Sequence, residues 1–336
     1  MGDVVQTIPV LRLLKLHLPA SEIFWWLASD LGPLLQQDPD LAGLIPFDRH
    51  RWRSPWNWNE LFASVQSMRR QRFDWVIDLQ GLARSGFVAW LANGRFTVGL
   101  DDPREGAAGF YDAIVPRPSP RTHAVDWYLA VLRILNVPIH WNFVWLPHRP
   151  EASRSVLDKW GPEDTRWVGI SPGARWMNKR WPADYYVRLV ELLVRDHSDL
   201  RFVVLGGKTD DAAGQMIARV APKRCLNLAG ETSLPELVEW IRRCELVVTN
   251  DSGPMHIAAA LRKPVVSLFG PTDPCRTGPY FQTKRALQVS LPCVPCLKSS
   301  CHYEKPYECL RALTPAVVEQ EIRCRFAELV DANQRN

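Results

Sequence analysis

A doubly wound α/β chain with parallel sheets in two units is what this sequence predicts, and three observations carry that expectation. Apolar runs rich in β-branched residues recur at strand length, helix-period segments alternate with them, and 336 residues suffice for about two compact domains. The runs are residues 75–79, 167–170, 202–205, 246–248 and 265–269, each reading as a strand buried on both faces. The helical segments between them are 182–196, 210–220, 234–244 and 254–261, with an amphipathic piece at 124–135. Seven prolines between residues 115 and 162 mark a linker zone, which places the division between units 1–155 and 156–336.

Composition narrows the function classes. Hydrophobic residues make up 46% and charged residues 23%, which excludes a disordered or fibrous chain. Lys and Arg total 41 against 36 Asp and Glu, and the excess of +5 suits an anionic small molecule or membrane surface better than a nucleic-acid track. An ordinary soluble surface fits that excess equally well. No stretch reaches the length of a spanning helix and no signal-like segment opens the chain, so a cytoplasmic location is expected. The 15 tryptophans read first as core fillers. The alternative is an interfacial surface, either at Trp25 and Trp26 or at Arg49-His50-Arg51-Trp52-Arg53 with Trp56 and Trp58, where cations and rings mix.

Three segments carry the elements of anion chemistry. In Thr249-Asn250-Asp251-Ser252-Gly253-Pro254-Met255-His256 a strand ends in small polar residues and enters a helix. Pro254 suits the first helical turn, Asp251 or Ser252 suits the cap, and the free amides of such a helix start bind anions. In Ser171-Pro172-Gly173-Ala174-Arg175-Trp176-Met177-Asn178-Lys179-Arg180 a loop after another buried strand presents three cations beside rings, and Arg175 and Lys179 could grip a diphosphate. A plain capped helix and a solvated basic loop are the bland readings. Two such loops leaving neighbouring strands of one sheet favour a ligand. The third segment, Met1-Gly2-Asp3, reads as a glycine turn entering an amphipathic helix with a carboxylate at the turn. Alone, Asp3 reads as a surface charge or a cap.

Of the eight cysteines, five fall between 275 and 309, and four of these follow a C-x2-C-x4-C-x7-C spacing at Cys293, Cys296, Cys301 and Cys309. Four thiolates there could hold a structural zinc, with His302 as a substitute ligand; a disulfide or a metal-free loop is the alternative.

The ordered set Gly2-Asp3-x-x-x-Thr7-x-Pro9, Asp78-Leu79-Gln80-Gly81 with Arg84-Ser85, Pro172-Gly173 with Lys179-Arg180-Trp181-Pro182, and Asn250-Asp251-Ser252-Gly253-Pro254-x-His256 resembles the ADP-heptose:lipopolysaccharide heptosyltransferases of glycosyltransferase family 9. The resemblance runs from Gly2 to about Val318. It implies a GT-B fold, two Rossmann-like domains facing a cleft, with the acceptor on the first and the nucleotide sugar on the second. It implies inverting transfer of heptose from ADP-heptose to the inner core of lipopolysaccharide, with lipid A–Kdo or a core oligosaccharide as acceptor and no catalytic cofactor. By motif position Asp3 matches the catalytic base and Lys179 the diphosphate-binding lysine. Asp251, Ser252, Gly253 and His256 match the donor loop, and Thr232 falls where the family lines its adenine pocket. A lipid acceptor also implies peripheral contact with the inner membrane. Other outcomes are a related enzyme using another nucleotide sugar, a GT-B epimerase, or a non-catalytic nucleotide- or glycan-binding module.

Two departures from the family pattern set further expectations. The apolar strand that precedes Gly-Asp in the family is missing here, so the first sheet should lack a central element and Asp3 should sit on a frayed terminus. The family's small hydroxyl residues are replaced by Ala174-Arg175, so a charged side chain would meet the phosphates there.

Overall fold

A computed structural model describes every residue except 49–50, 52–57, 103–104, 162–164 and 335–336. The chain divides into two compact units, one of residues 6–145 and one of residues 1–5 with 146–336. They are called the first and second unit below.

The helices are α1 Gly2–His17, α2 Gly32–Leu35, α3 Trp58–Gln71, α4 Ala83–Ala92, α5 Ala124–Ile134, α6 Pro150–Trp160, α7 Ala183–Asp196, α8 Asp211–Ala218, α9 Leu234–Arg243, α10 Gly253–Ala260, α11 Pro274–Thr277, α12 Glu308–Arg311 and α13 Pro315–Gln334. The strands of the first unit are β1 Phe24–Ala28, β2 Gly43–Phe47, β3 Trp75–Asp78, β4 Phe96–Asp101 and β5 Ala113–Pro116. Those of the second are β6 Trp167–Ser171, β7 Arg201–Val204, β8 Cys225–Asn227, β9 Cys244–Asn250, β10 Val265–Phe269 and β11 Leu287–Gln288.

In the second unit all six strands form one parallel sheet in the order β11-β10-β9-β6-β7-β8. Every residue of β6 and β10 is buried, which is why their sequence is continuously apolar rather than alternating. Val168, Ile170, Phe202, Val248 and Leu268 share one core with Leu189 and Leu193 of α7 and Ile322 of α13. The helix-period segments became α7 to α10 within a residue or two of their expected ends.

The first unit is built differently. Its strands form two separate parallel sheets, β1-β2 and β3-β4-β5. Helices α3 and α4 serve both sheets, because Trp26 of β1, Ile45 of β2 and Val76 of β3 pack on one cluster with Val65, Met68 and Ala92. Trp26 stacks on Phe47 at 4.0 Å between ring centroids. Trp25 and Trp26 are half-buried strand residues of β1. Residues 49–50 and 52–57, which contain most of the other aromatic and basic stretch, lie outside the described residues.

Two expectations about organisation are corrected. The division falls at residue 145, not 155, because α6 belongs with α9: Ser155 Oγ and Lys159 Nζ each donate to Glu236 Oε1 at 2.6 Å, and the Arg149 amide donates to Glu239 at 3.2 Å. And α1 is not amphipathic, since residues 4–14 are buried without interruption. Its one buried cation is matched: the Arg12 guanidinium lies 2.6 Å from Asp38 and 2.7 Å from Asp40, and its Nε donates to the Trp145 carbonyl at 3.2 Å. A buried charge is tolerable only with partners of that kind. The helix begins at Gly2, with the Val5 amide bonded to the Met1 carbonyl at 3.1 Å, so Asp3 sits in an ordered first turn rather than on a frayed end.

Candidate active site

The two anion-competent loops leave adjacent strands. β6 and β9 pair in parallel with Ser171 opposite Thr249, so the segments that follow emerge side by side at the carboxyl edge of the sheet, where open α/β sheets bind ligands. Asn250, the last residue of β9, ties them together. Its Nδ2 donates to the Pro172 carbonyl at 2.7 Å, and its Oδ1 accepts from the Trp181 amide at 3.1 Å and the Tyr186 hydroxyl at 3.2 Å. Burial and the nearby Asp210 raise the Tyr186 phenol far above its ordinary range, so it stays a proton donor to that amide.

A second clasp holds the same loop from below. Asp210 accepts from the Gly207 amide at 2.9 Å and pairs with Arg180 at 3.3 Å, while Arg180 Nε donates to the Ala174 carbonyl at 2.8 Å. The Asp210 carboxylate occupies the space a side chain at Gly173 would need. Gly173 is in the motif because only a glycine allows that approach.

These clasps fix the turn that carries Lys179. Its ammonium lies 2.6 Å from Asp251 Oδ2 and 4.6 Å above the Trp176 ring. Asp251 Oδ2 accepts a further bond from Thr272 Oγ1 at 2.7 Å. The lysine and aspartate expected at the donor site thus meet each other. The pairing leaves an ammonium oriented by Asp251, a group that can attract an anion where a carboxylate would repel one.

Ser252 caps α10 from an extended conformation, and its hydroxyl is 3.1 Å from Thr249 Oγ1 rather than bonded to the helix amides. The helix start at Gly253 therefore presents backbone N–H groups with no side-chain cap, an electropositive end beside Lys179. His256 is buried in the first turns of α10. Residues 1–5 belong to this unit: the Met1 side chain lies over Gly253, and Gly2 approaches His256 so closely that an added Cβ would stand 2.6 Å from the imidazole Cδ2. Asp3, exposed and next in the chain, is thereby placed beside α10.

The remaining expected residues are less engaged. Arg175 is exposed at its loop, so the structure gives it no built contact. Thr232 is half-buried in the segment after β8, at the same carboxyl edge but two strands from β6, and that segment is tied to the β7 loop by the Gly230 amide bonding the Gly206 carbonyl at 2.9 Å. Sequence reasoning passed over Asn250 as a clamp, Asp210 and Thr272. The pattern Gly206-Gly207-Lys208 directly after an apolar run was a readable sign of a third edge loop. In the first unit the motif Asp78-Leu79-Gln80-Gly81 closes the end of β3: Asp78 accepts from the Gln80 amide at 2.8 Å and from the Tyr111 hydroxyl at 2.7 Å.

Cys293, Cys296, Cys301 and Cys309 line one cavity of about 210 Å3 with His302, and all four are free thiols. Among the described residues no three His, Cys, Asp or Glu side chains stand close enough to share a metal ion, so the thiols ring the cavity rather than a point.

Known proteins bear on this geometry. A family model described as "Glycosyltransferase family 9 (heptosyltransferase)" matches residues 61–307. The chain belongs to glycosyltransferase family 9. Within that family it is 42% identical over 299 residues to a lipooligosaccharide heptosyltransferase 2 of Haemophilus influenzae, covering 83% of each chain. It is 28% identical over 326 residues to a lipopolysaccharide heptosyltransferase 1 of Pseudomonas aeruginosa, covering 92% of this chain and 86% of the relative. The solved ADP-heptose LPS heptosyltransferase II of E. coli superposes with a TM-score of 0.76 at 25% identity, over 97% of this chain and 96% of that one. The expected GT-B fold therefore stands, and this family-9 chain is a glycosyltransferase.

Proposed function

We propose that this chain transfers heptose, with inversion, from ADP-heptose to the inner core of lipopolysaccharide. The observation that carries the reading is the Lys179–Asp251 pair at 2.6 Å beside the uncapped start of α10, two positive elements at one sheet edge. Departure of a nucleoside diphosphate needs its growing charge neutralised, which an oriented ammonium and helix amides supply without donating a proton. The acceptor hydroxyl must lose its proton as the new bond forms; Asp3, an aspartate carboxylate beside the donor helix, takes that role. Names of relatives such as ADP-heptose LPS heptosyltransferase II support the donor and the acceptor class.

Thermal unfolding with and without nucleotide sugars tests the donor: ADP-heptose raises Tm, UDP- and GDP-sugars do not. Transfer to defined lipid A–Kdo and core-truncated acceptors tests the reaction. Asp3→Ala should abolish turnover while leaving the ADP-heptose Tm shift intact. Unchanged turnover removes Asp3 as base, and stabilisation without transfer to any acceptor leaves a binding module.

The enzyme would act at the cytoplasmic face of the membrane. No described helix is long and apolar enough to cross a membrane, so contact would be peripheral. The outer surfaces of α3 and α4 suit an anionic leaflet: Phe62, Phe87 and Trp90 are 65%, 44% and 56% exposed, among exposed Arg69, Arg70 and Arg84. Replacing Phe87 and Trp90 with Ser should weaken co-sedimentation with anionic vesicles and spare the ADP-heptose Tm shift.

A further inference from the structure

The loops that carry Lys179 and Asp251 leave the carboxyl edge of the six-stranded sheet, and the amino edge has a concavity of its own. Around the start of β10, the end of α10, residues 280–285 and one face of α13 enclose a cavity of about 690 Å3. Small-molecule sites fall in that size range. Cations reach it from three places in the sequence: Arg262 just beyond α10, Lys284 and Arg285 in the connecting segment, and Arg325 on α13. Against these four stands one lining carboxylate, Glu328, which Arg285 already holds at 2.6 Å. Among the described residues no ion pair engages Lys284 or Arg262, whose guanidinium lies 5.5 Å over the Phe281 ring.

The walls are held in place by the backbone. Gln282 pins its segment to the start of β10, its Oε1 accepting from the Val265 amide at 3.0 Å and its Nε2 donating to the Lys263 carbonyl at 2.8 Å. Arg262 and Phe281 both hold left-handed backbone, at φ 56° and 69°, and Arg262 stands where a glycine commonly ends a helix.

Arg325 sets the polarity of the cavity. It is 5% exposed, yet it lines this space. Its Nε donates to Glu321 at 2.8 Å and its Nη2 to the Val265 carbonyl at 3.1 Å, while Nη1 has no hydrogen-bond partner among the described residues. Burial lowers this guanidinium from the ordinary arginine range, Glu321 opposes that, and Arg285 adds to it. A buried cation with one carboxylate and a like charge nearby is stabilised by an anion set before its free nitrogen. The volume has room for more than a bare phosphate. Phe281, 53% exposed, and Tyr280, its ring 4.5 Å away between centroids, offer the remainder an apolar wall.

We propose that this cavity is a second binding site, for a soluble organic phosphate whose phosphate meets Arg325 and whose ring or apolar part lies against Tyr280 and Phe281. The site binds rather than reacts, since no described histidine or cysteine lines it and its one carboxylate is paired. It is also separate from the donor edge. Helix α10 has its first turn beside Lys179 and its end, at Ala259, on this cavity, and eight residues of helix span about 12 Å.

Titration calorimetry of the full chain with phenyl phosphate tests this, with inorganic phosphate and phenol as the two halves of the probe. Phenyl phosphate should bind saturably, and either half alone more weakly. Arg262→Gly removes a cation and suits the left-handed backbone, so Tm should hold or rise while phenyl phosphate affinity falls about tenfold. Lys284→Glu, at an exposed position, should weaken binding by at least as much. Lys179→Met should keep this site's binding whatever it does to the donor, so the outcome is independent of the heptose reading. Arg325→Met should remove binding; if that change unfolds the chain, the two exposed variants settle the question. A parent chain that binds no phenyl phosphate overturns the proposal, as does equal affinity in the parent, Arg262→Gly and Lys284→Glu. Co-sedimentation with phosphatidic acid vesicles that those two variants lose, without binding of soluble phenyl phosphate, assigns the cavity to a lipid headgroup and overturns it too.

Discussion

The two units place comparable strands in different surroundings. In the second, β6 and β10 are buried at every position and lie in an unbroken sheet of six, so the loops at its carboxyl edge are clamped by Asn250 and Asp210 onto a rigid base. In the first, β1, β2 and β3 are largely half-exposed and the sheet is in two pieces. The half that orients Lys179, the lysine proposed to neutralise the leaving diphosphate, is thus the half with the more deeply buried strands, as that proposal's pre-organised electrostatics requires. The first unit buries Ile8 and Leu13 of α1, Val98 and Leu100 of β4 and Val125 and Leu132 of α5, and adds the cluster under α3 and α4 and the buried Arg12 with its two aspartates.

Paired truncations can break that comparison. Ile170→Ala, at a fully buried position of β6, should cost about 2–5 kcal/mol in a urea melt, whereas Ile77→Ala, half-buried in β3, should cost less than half as much. Equal losses would mean that the split sheet is as tightly supported as the continuous one. Next in size is Lys179→Met, which should lower kcat/KM by about 10²–10³-fold and remove most of the donor-induced Tm shift. Retained activity would place charge neutralisation elsewhere on the edge.

The smallest effect is a pH dependence confined to the second unit. Burial works against ionising Glu236, but bonds from Lys159, Ser155 and Ser233 outweigh it and hold its carboxyl down at about 2, below the ordinary glutamate value of 4.5. Its folded value is the lower one, so the stability it contributes is present above about 4.5 and is lost as pH falls toward about 2. Tm measured across that window should drop less steeply for Glu236→Gln than for the parent chain. Parallel curves would show that the α6–α9 junction is not governed by this carboxylate.

Much of the second unit was legible because its strands are buried on both faces: unbroken β-branched runs such as Val265-Val266-Ser267-Leu268-Phe269 leave little choice but a central parallel strand. The first unit's β1 and β2 were not recognised, since Phe24-Trp25-Trp26 and Gly43-Leu44-Ile45-Pro46 mix aromatic residues, glycine and proline in a half-buried setting where pattern is weak. The amphipathic reading of α1 failed for a related reason: Arg12 looks like a solvent-facing charge until Asp38 and Asp40 are seen to bury it.

What the sequence by itself determined is the alternation of strand and helix, the two polar loops that follow β6 and β9, and the four cysteines of one segment, because these depend on local residue order. Tertiary structure decided which groups meet. Lys179 and Asp251 are 72 positions apart, and only the adjacency of two parallel strands brings an ammonium to a carboxylate and turns both toward one edge. Side-chain pairing across a sheet follows from strand order, and strand order is set by how helices cover the two faces rather than by any short stretch of residues.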